Sequence, residues 1–252
     1  MRASARVEVA RRSGRDVLVD MRSEPPLTVR AAGDRVLVVG SAAAPVGGDE
    51  LSFDVVVGPG ACMSLGTVAA TMAWPSPRGD ASSQRVHATV GCGGHLRWVP
   101  EPLVLVAGCR HAATTHVVLA AGATAWIVEE VSLGRTGEAS GSLTMSWRVE
   151  RGGRVLVHHA ERLGPDVPGW GSAVTTGSHR HLLAAVAVGS PCPDLAPVVS
   201  ADASFAVLPV ADDAWVVLAT GADRVAVRRG LPPGWEGTPV AGPGSCSAST
   251  RR

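Results

Sequence analysis

Acidic residues beside glycine are the strongest candidates for chemistry in this chain of 252 residues. Asp49 lies in "VGGDEL", Glu129 and Glu130 in "WIVEEVSLGR", and Glu138 in "GRTGEAS". Neighbouring side chains of a strand point to opposite faces, so one of Glu129 and Glu130 must point inward. A buried carboxylate needs a partner that replaces its lost water, and Arg135 is near enough in sequence to be that partner. These acids are therefore either ligands of a cation or members of structural ion pairs.

Two histidines offer a different chemistry. His179 and His181 in "HRH" would lie on one face of a strand, where two imidazoles form half of a metal site. Neither HExxH, CxxC nor GxSxG occurs in the sequence to complete a hydrolase site. The pair therefore supports, as an alternative, a β-solenoid metallohydrolase. The plainer interpretation is that the two histidines simply lie on a strand face.

The composition excludes several classes of function. All 23 basic residues are arginine, so a Walker motif, a lysine Schiff base and a Ser–Lys dyad are impossible. A formal net charge of +1 does not indicate a partner such as nucleic acid or a membrane surface. Five widely spaced cysteines argue against a disulfide framework, and the first residues contain no apolar signal segment. We expect a reduced, cytoplasmic setting.

Glycines recur at regular intervals and separate the strand-like elements that must position these residues. Punctuating glycines lie at 33, 60, 93, 122 and 153, and strand-like runs rich in valine, threonine and tryptophan flank them. A hairpin of such runs cannot bury its apolar face alone. The pattern predicts a mainly β fold, an antiparallel two-layer β-helical or sandwich-like stack of hairpins with few helices. We expect one domain over 1–236, a helix over 221–231 and a disordered tail over 237–252.

Four segments carry a family resemblance. "PVGGDEL", "GTVAATMAW", "LRWVPEPLVLVAG" and "EEVSLGRTGE" resemble the urease accessory protein UreD family, called UreH in some organisms, over roughly residues 45–165. The resemblance implies a β-helical maturation factor that is not an enzyme. Its implied partners are apo-urease, a UreF-like accessory protein and, through UreF, a UreG-like GTPase. It also implies that the protein helps to route nickel into the urease active site, with nickel in transit and no tightly bound cofactor or metal.

The resemblance also assigns residues in this sequence. It implies a nickel path lined by Asp49, Glu129, Glu138, Thr67 and Thr71. Structural or partner roles fall on Gly47, Gly48, Trp98, Pro100, Glu101, Gly134, Arg135 and Gly137. Oxygen ligands spread along a path favour passage of an ion over its storage, because soft, tight ligands would hold nickel.

Overall fold

The structure is a computed structural model that describes residues 1–177 and 179–229. The expected tail over 237–252 lies outside these described residues, and so do the last residues of the expected domain over 1–236. The described part contains eighteen β-strands and one short α-helix, so the prediction of a mainly β protein with few helices is confirmed. No helix in the described ranges is long and apolar enough to cross a membrane.

The strands have the following bounds in chain order. They are β1 Arg2–Arg12, β2 Arg15–Ser23, β3 Leu27–Ala32, β4 Arg35–Gly40, β5 Glu50–Val57, β6 Cys62–Thr67, β7 Thr71–Ala73, β8 Ser82–Val90, β9 His95–Trp98, β10 Leu103–Leu105, β11 Arg110–Leu119, β12 Thr124–Ser132, β13 Ser142–Arg151, β14 Arg154–Leu163, β15 His181–Val188, β16 Val198–Val199, β17 Ala203–Ala211 and β18 Ala214–Gly221. The helix α1 is Arg224–Arg229.

These strands form two stacked sheets. The first has seven strands in the order β14-β13-β11-β8-β5-β1-β2. The second has eleven, of which nine follow the order β16-β17-β18-β15-β12-β9-β6-β4-β3, while β10 pairs with β12 and β7. The chain crosses repeatedly from the first sheet to the second, as in β5 to β6, β8 to β9 and β11 to β12. This winding is that of a β-solenoid, in agreement with the predicted β-helical stack.

The direction of pairing differs from the expected antiparallel hairpins. In the middle of the first sheet β1, β5, β8, β11 and β13 pair in parallel. In the second sheet β4, β6, β9 and β12 also pair in parallel. Antiparallel hairpins occur towards the ends, as in β1–β2, β3–β4 and β13–β14. The central pairs are parallel because each strand lies beside the equivalent strand of the next coil and not beside its neighbour in sequence.

The punctuating glycines form two kinds of turn. Gly60, Gly93 and Gly122 lie at the corners where the chain passes between sheets, and Gly33 and Gly153 lie in hairpins. All five have positive φ, between 63° and 79°, a conformation that glycine adopts without steric cost. The glycine period is also the length of one coil: Ser82 and His111 are hydrogen-bonded neighbours on adjacent strands and lie 29 residues apart.

The main core lies between the two sheets, and a smaller one covers the outer face of the second sheet. In β12, Ala125 and Ile127 belong to the inner core, whereas Trp126 and Val128 belong to the outer cluster. Val227 of α1 packs on that outer cluster. The helix starts after Asp223, whose carboxylate accepts a hydrogen bond from the Ala226 N–H at 2.8 Å, as an N-cap does. The predicted helix is therefore confirmed over Arg224–Arg229, and residues beyond 229 lie outside the description.

Candidate functional site

A cavity of about 50 Å³ is lined by residues of both sheets. The first sheet contributes Gln84, Val86, His111, Ala113, Thr114, Thr115 and Met145. The second sheet and the adjoining loops contribute Thr67, Thr71, Trp98, Pro100, Glu101, Leu103, Glu129, Glu130 and Val131. The lining thus joins seven residues that the sequence singled out, from three separate segments: Thr67, Thr71, Trp98, Pro100, Glu101, Glu129 and Glu130.

Glu129 is the inward-pointing member of the acidic pair. Its carboxylate accepts a hydrogen bond from the Thr115 hydroxyl and another, 2.6 Å long, from the Trp147 indole N–H. The Trp98 indole N–H interacts more weakly with the same group and lies outside hydrogen-bond geometry. Glu129 makes no ion pair with the described residues. The Arg135 partnership expected for Glu129 is therefore absent in this part of the chain.

Burial controls the protonation of Glu129. Desolvation raises the pKa of its carboxyl, and the hydrogen bonds from Thr115 and Trp147 oppose that rise. The residue keeps a small exposed fraction although protein surrounds its side chain. Glu129 is among the residues that line the cavity. Among the described residues no cation is paired with this carboxylate, which lies beside open space.

Glu130, the other member, points to the outer face and is paired with the helix. Its carboxylate accepts hydrogen bonds of 2.9 Å from the Nε atoms of both Arg224 and Arg228. Arg224 also bridges to Glu101 at 2.8 Å. The Thr67 hydroxyl accepts a hydrogen bond from the Glu101 N–H at 2.8 Å, which fixes this loop beside the cavity. The wall of the cavity is therefore tied to α1 by an ionic network.

Glu138 is neutralised by Arg135. The guanidinium donates two hydrogen bonds of 2.8 Å to its carboxylate, and the Arg135 N–H donates a third of 3.1 Å. These bonds hold the pKa of Glu138 at about 2. Gly134 and Gly137 have positive φ in this turn, and a side chain at Gly134 would meet the Ala139 carbonyl oxygen at 2.6 Å. Arg135 is therefore the partner of Glu138 and not of Glu129, and Glu138 lies outside the cavity lining.

Asp49 is also engaged in a structural interaction. Its carboxylate contacts the N-terminal ammonium of Met1 at 2.5 Å and accepts a hydrogen bond from the Val46 N–H at 2.8 Å. Gly47 gives it this position, because a Cβ there would lie 2.3 Å from the Asp80 carbonyl oxygen. Gly48 has φ of 90°, which completes the turn. Asp49 is buried but is not among the residues that line the cavity.

The two histidines of the alternative hypothesis do not share a site. Nδ1 of His179 lies 2.8 Å from the Thr220 hydroxyl, and its Nε2 lies 3.2 Å from the Ala201 carbonyl oxygen. Nδ1 of His181 lies 3.0 Å from the Ser132 hydroxyl instead. Among the described residues no group of three or more histidine, cysteine or acidic side chains could hold a metal ion. The metallohydrolase alternative is therefore not supported.

Three residues at the site were not identified from the sequence. Thr115 and Trp147 hydrogen-bond Glu129 from strands of the opposite sheet, and His111 lines the same cavity. Strand alternation could have placed them on the inner face, as in the run His111, Ala113, Thr115 of β11. Their meeting with Glu129 depends on how the two sheets stack, which no local pattern encodes.

Comparison with known proteins extends the resemblance to the UreD family over more of the chain. The family model described as UreD urease accessory protein matches residues 1–241, well beyond 45–165. A urease accessory protein UreD of Parafrankia sp. (strain EAN1pec) is 36% identical over 241 residues, covering 85% of this chain and 80% of that relative. The UreD of Streptomyces coelicolor is 35% identical over 238 residues, covering 91% and 93%. The chain therefore belongs to the UreD family of urease accessory proteins, and its role is accessory to urease and not catalytic.

Proposed function

We propose that this protein helps to load urease with nickel by letting the ion pass through the cavity lined by Glu129, Thr67 and Thr71. The observation that carries the proposal is the carboxylate of Glu129. It is enclosed, it lines open space, and within the described ranges no cation is paired with it. Enclosing a carboxylate in this way is costly, and a passing divalent cation would offset that cost.

The composition of the lining supports passage of the nickel ion rather than its storage. The sequence-derived candidates in it offer oxygen atoms: the Glu129 carboxylate and the Thr67 and Thr71 hydroxyls. The described residues contain no closed set of three strong ligands. Weak, successive ligation lets an ion leave as easily as it enters. For Asp49 and Glu138 the same role would first need their ion pairs to open.

Family membership supports the partners in this proposal. They are apo-urease, a UreF-like accessory protein and a UreG-like GTPase bound through UreF. The relatives are named as urease accessory proteins, which supports a partnership with urease. We further propose a cytoplasmic location, and the free thiols of Cys92, Cys109 and Cys192 are consistent with a reducing compartment.

The test is Glu129→Gln in a strain that expresses urease with all of its accessory proteins. The substitution keeps the shape of the side chain and removes the charge. We expect the accessory complex to assemble while the nickel content and activity of urease fall severalfold. Glu138→Gln is the control, since Glu138 lies outside the cavity lining. Wild-type nickel content in the Glu129→Gln strain, or loss of the complex itself, would overturn the proposal.

A further inference from the structure

The helix α1 supplies the cations that pair with two acids of the cavity wall. Arg224 donates a hydrogen bond of 2.9 Å from Nε to Glu130 and forms an ion pair of 2.8 Å with Glu101 through Nη2. Arg228 donates a hydrogen bond of 2.9 Å from Nε to Glu130. Both glutamates are among the residues that line the cavity. One short helix therefore pairs with every acid of this lining except Glu129.

Glu101 marks the place where the cavity wall meets solvent. Its side chain is 40% exposed, whereas that of Glu130 is 5% exposed. The Glu101 N–H donates to the Thr67 hydroxyl at 2.8 Å, and the Thr71 N–H donates to the Pro102 carbonyl oxygen at 2.9 Å. These bonds hold the loop after β9 against the segment between β6 and β7. We call Thr67, Thr71 and Glu101 the cavity rim, and an ion that enters from this side passes Glu101.

The charge at the cavity rim depends on whether α1 is docked. Arginine stays protonated at physiological pH, so α1 brings two full positive charges to the carboxylates of Glu101 and Glu130. The four charges sum to zero while the helix is docked. Once the helix has left, the two carboxylates remain uncompensated by it. Charges at a narrow entrance act strongly on a passing ion, so undocking changes a neutral entrance into one that attracts cations.

The contacts of α1 allow it to leave without disturbing the solenoid. The helix has six residues, of which Ala226 and Val227 are buried. A helix of this length does not persist alone in water, so it is formed only while it is docked. Segments with little buried apolar surface open locally, at a lower free energy than the whole fold. When α1 leaves, Glu130 on the outer face regains water and no strand pairing is lost.

We propose that α1 is an electrostatic gate for cations at the cavity rim. When α1 is docked, Arg224 neutralises Glu101 and opposes the entry of a divalent cation. When α1 is released, Glu101 and Glu130 become an acidic entrance that draws the cation in. The inference rests on the proposed function and adds to it the regulation of the same cavity.

Quenching of Trp98 fluorescence reports how easily solutes of different charge reach the cavity. Trp98 lines the cavity, and its emission is isolated as the difference between each protein and the same protein carrying Trp98→Phe. The probes are Ni²⁺, iodide and neutral acrylamide. Arg224→Gln should raise the rate constant of quenching by Ni²⁺ about threefold or more at an ionic strength of about 10 mM, lower that of iodide and leave that of acrylamide unchanged.

The sign of the charge separates a gate from a loosened structure. A loosened structure would raise quenching by all three probes, and that result overturns the inference. The effect of Arg224→Gln on quenching by Ni²⁺ should also disappear at about 1 M salt, where charges are screened beyond about 3 Å. An effect that persists at this salt concentration contradicts an electrostatic origin.

Two further variants serve as controls. Arg229→Gln removes the same charge from the same helix, and Arg229 is exposed and makes no ion pair with the described residues, so quenching should match the wild type. Glu101→Gln removes a negative charge from the rim while Glu130 still holds α1, so quenching by Ni²⁺ should become slower. Equal rates in the wild type, Arg224→Gln and Glu101→Gln overturn the inference, and so does an equal effect of Arg224→Gln and Arg229→Gln.

Release of α1 is measured in the wild-type chain, without any variant. The Ala226 N–H donates to the Asp223 carboxylate at 2.8 Å and the Val227 N–H to the Asp223 carbonyl oxygen at 3.1 Å. Native-state hydrogen exchange in low urea should show that these two amides exchange through an opening that leaves β12 protected. Exchange of the two amides only together with β12, by global unfolding, overturns the gate.

Failure of this inference can be told apart from failure of the proposed function. If Glu129→Gln lowers the nickel content of urease while Arg224→Gln does not alter quenching, the nickel path stands and the gate is refuted. If Arg224→Gln changes quenching with the expected signs while Glu129→Gln leaves urease loading unchanged, α1 controls entry to the cavity and the nickel path through Glu129 is refuted.

Discussion

Glu129 shows what strand alternation predicts about a single residue and what it leaves open. The period of two correctly separates Glu129, whose carboxylate is hydrogen-bonded across the space between the sheets, from Glu130, whose carboxylate pairs with α1. It does not identify the partners of Glu129. Thr115 and Trp147 are 14 and 18 residues away and reach it across the space between the sheets. Arg135, much nearer in sequence, pairs with Glu138 instead, so proximity in sequence misled the choice of partner.

The hydrogen bond from Trp147 to Glu129 should be measurable as a coupling. Trp147→Phe keeps an aromatic ring in the core and removes the indole N–H. A hydrogen bond to a charged group contributes about 1.5–3 kcal/mol, so we expect Trp147→Phe and Glu129→Gln to be coupled by about 1.5 kcal/mol above the pKa of Glu129. Urea denaturation of the two single variants and the double variant measures this. Additivity within about 0.5 kcal/mol would show that the bond adds no stability.

His95 should make stability depend on pH. Desolvation, together with the positive charge of Arg97, lowers the pKa of His95 in the folded protein. Below the ordinary histidine value of about 6.5 the unfolded state therefore binds more protons, and the free energy of unfolding falls as pH falls. This loss continues until the folded His95 also protonates. Urea denaturation between pH 7.5 and 5 should show a smaller loss in His95→Gln than in the wild type, and parallel curves would contradict the prediction.

At the scale of elements, the sequence predicts the length of one coil of the solenoid better than it predicts the direction in which strands pair. The spacing of the glycines, about 30 residues, matches the 29 residues that separate Ser82 from His111 on adjacent strands. The same glycine turn can close a hairpin or turn a corner between sheets. Gly153 does the first and Gly122 the second, with φ values of 79° and 72°. The local sequence therefore reveals the turns, whereas the stacking of whole coils decides between antiparallel and parallel pairing.

Two glycines should differ sharply in their tolerance of alanine. Among the described residues, a Cβ at Gly122 meets one atom within 4 Å, the Gly93 nitrogen at 4.0 Å. We therefore expect Gly122→Ala to cost the strain of its positive φ, about 1 kcal/mol. A Cβ at Gly141 would lie 2.3 Å from Cys109 Sγ and 2.6 Å from the Val106 carbonyl oxygen. Gly141→Ala should cost about 3 kcal/mol or more, since backbone must move. Thermal unfolding compares them, and equal melting temperatures would contradict the packing argument.

For the whole molecule, the short helix α1 is anchored to the middle of the chain. The sequence predicts a helix near its place, but the contact that anchors it joins residues 94 and 98 positions apart. Glu130 is buried in the outer face of the second sheet and accepts hydrogen bonds from Arg224 and Arg228 of the helix. Such a contact depends on the stacking of β12 against the end of the described chain, which no local sequence pattern specifies.

Removing the charge of Glu130 should therefore destabilise the molecule more than removing that of its exposed neighbour. Glu130→Gln leaves Arg224 and Arg228 without their buried carboxylate, whose side chain is 5% exposed. Breaking a buried pair in this way typically costs about 3–5 kcal/mol, and the partial exposure of the two arginines places this case at the lower end. Glu101→Gln, the control, removes a pair whose carboxylate is 40% exposed and should cost less than about 1 kcal/mol. Urea denaturation of both variants measures the difference.

Limited proteolysis should cut Glu130→Gln near residue 224 faster than Glu101→Gln, because the helix has lost its anchor. Equal stability and equal cleavage rates would show that packing of Val227 on the outer cluster, and not the ionic contact, holds α1 in place.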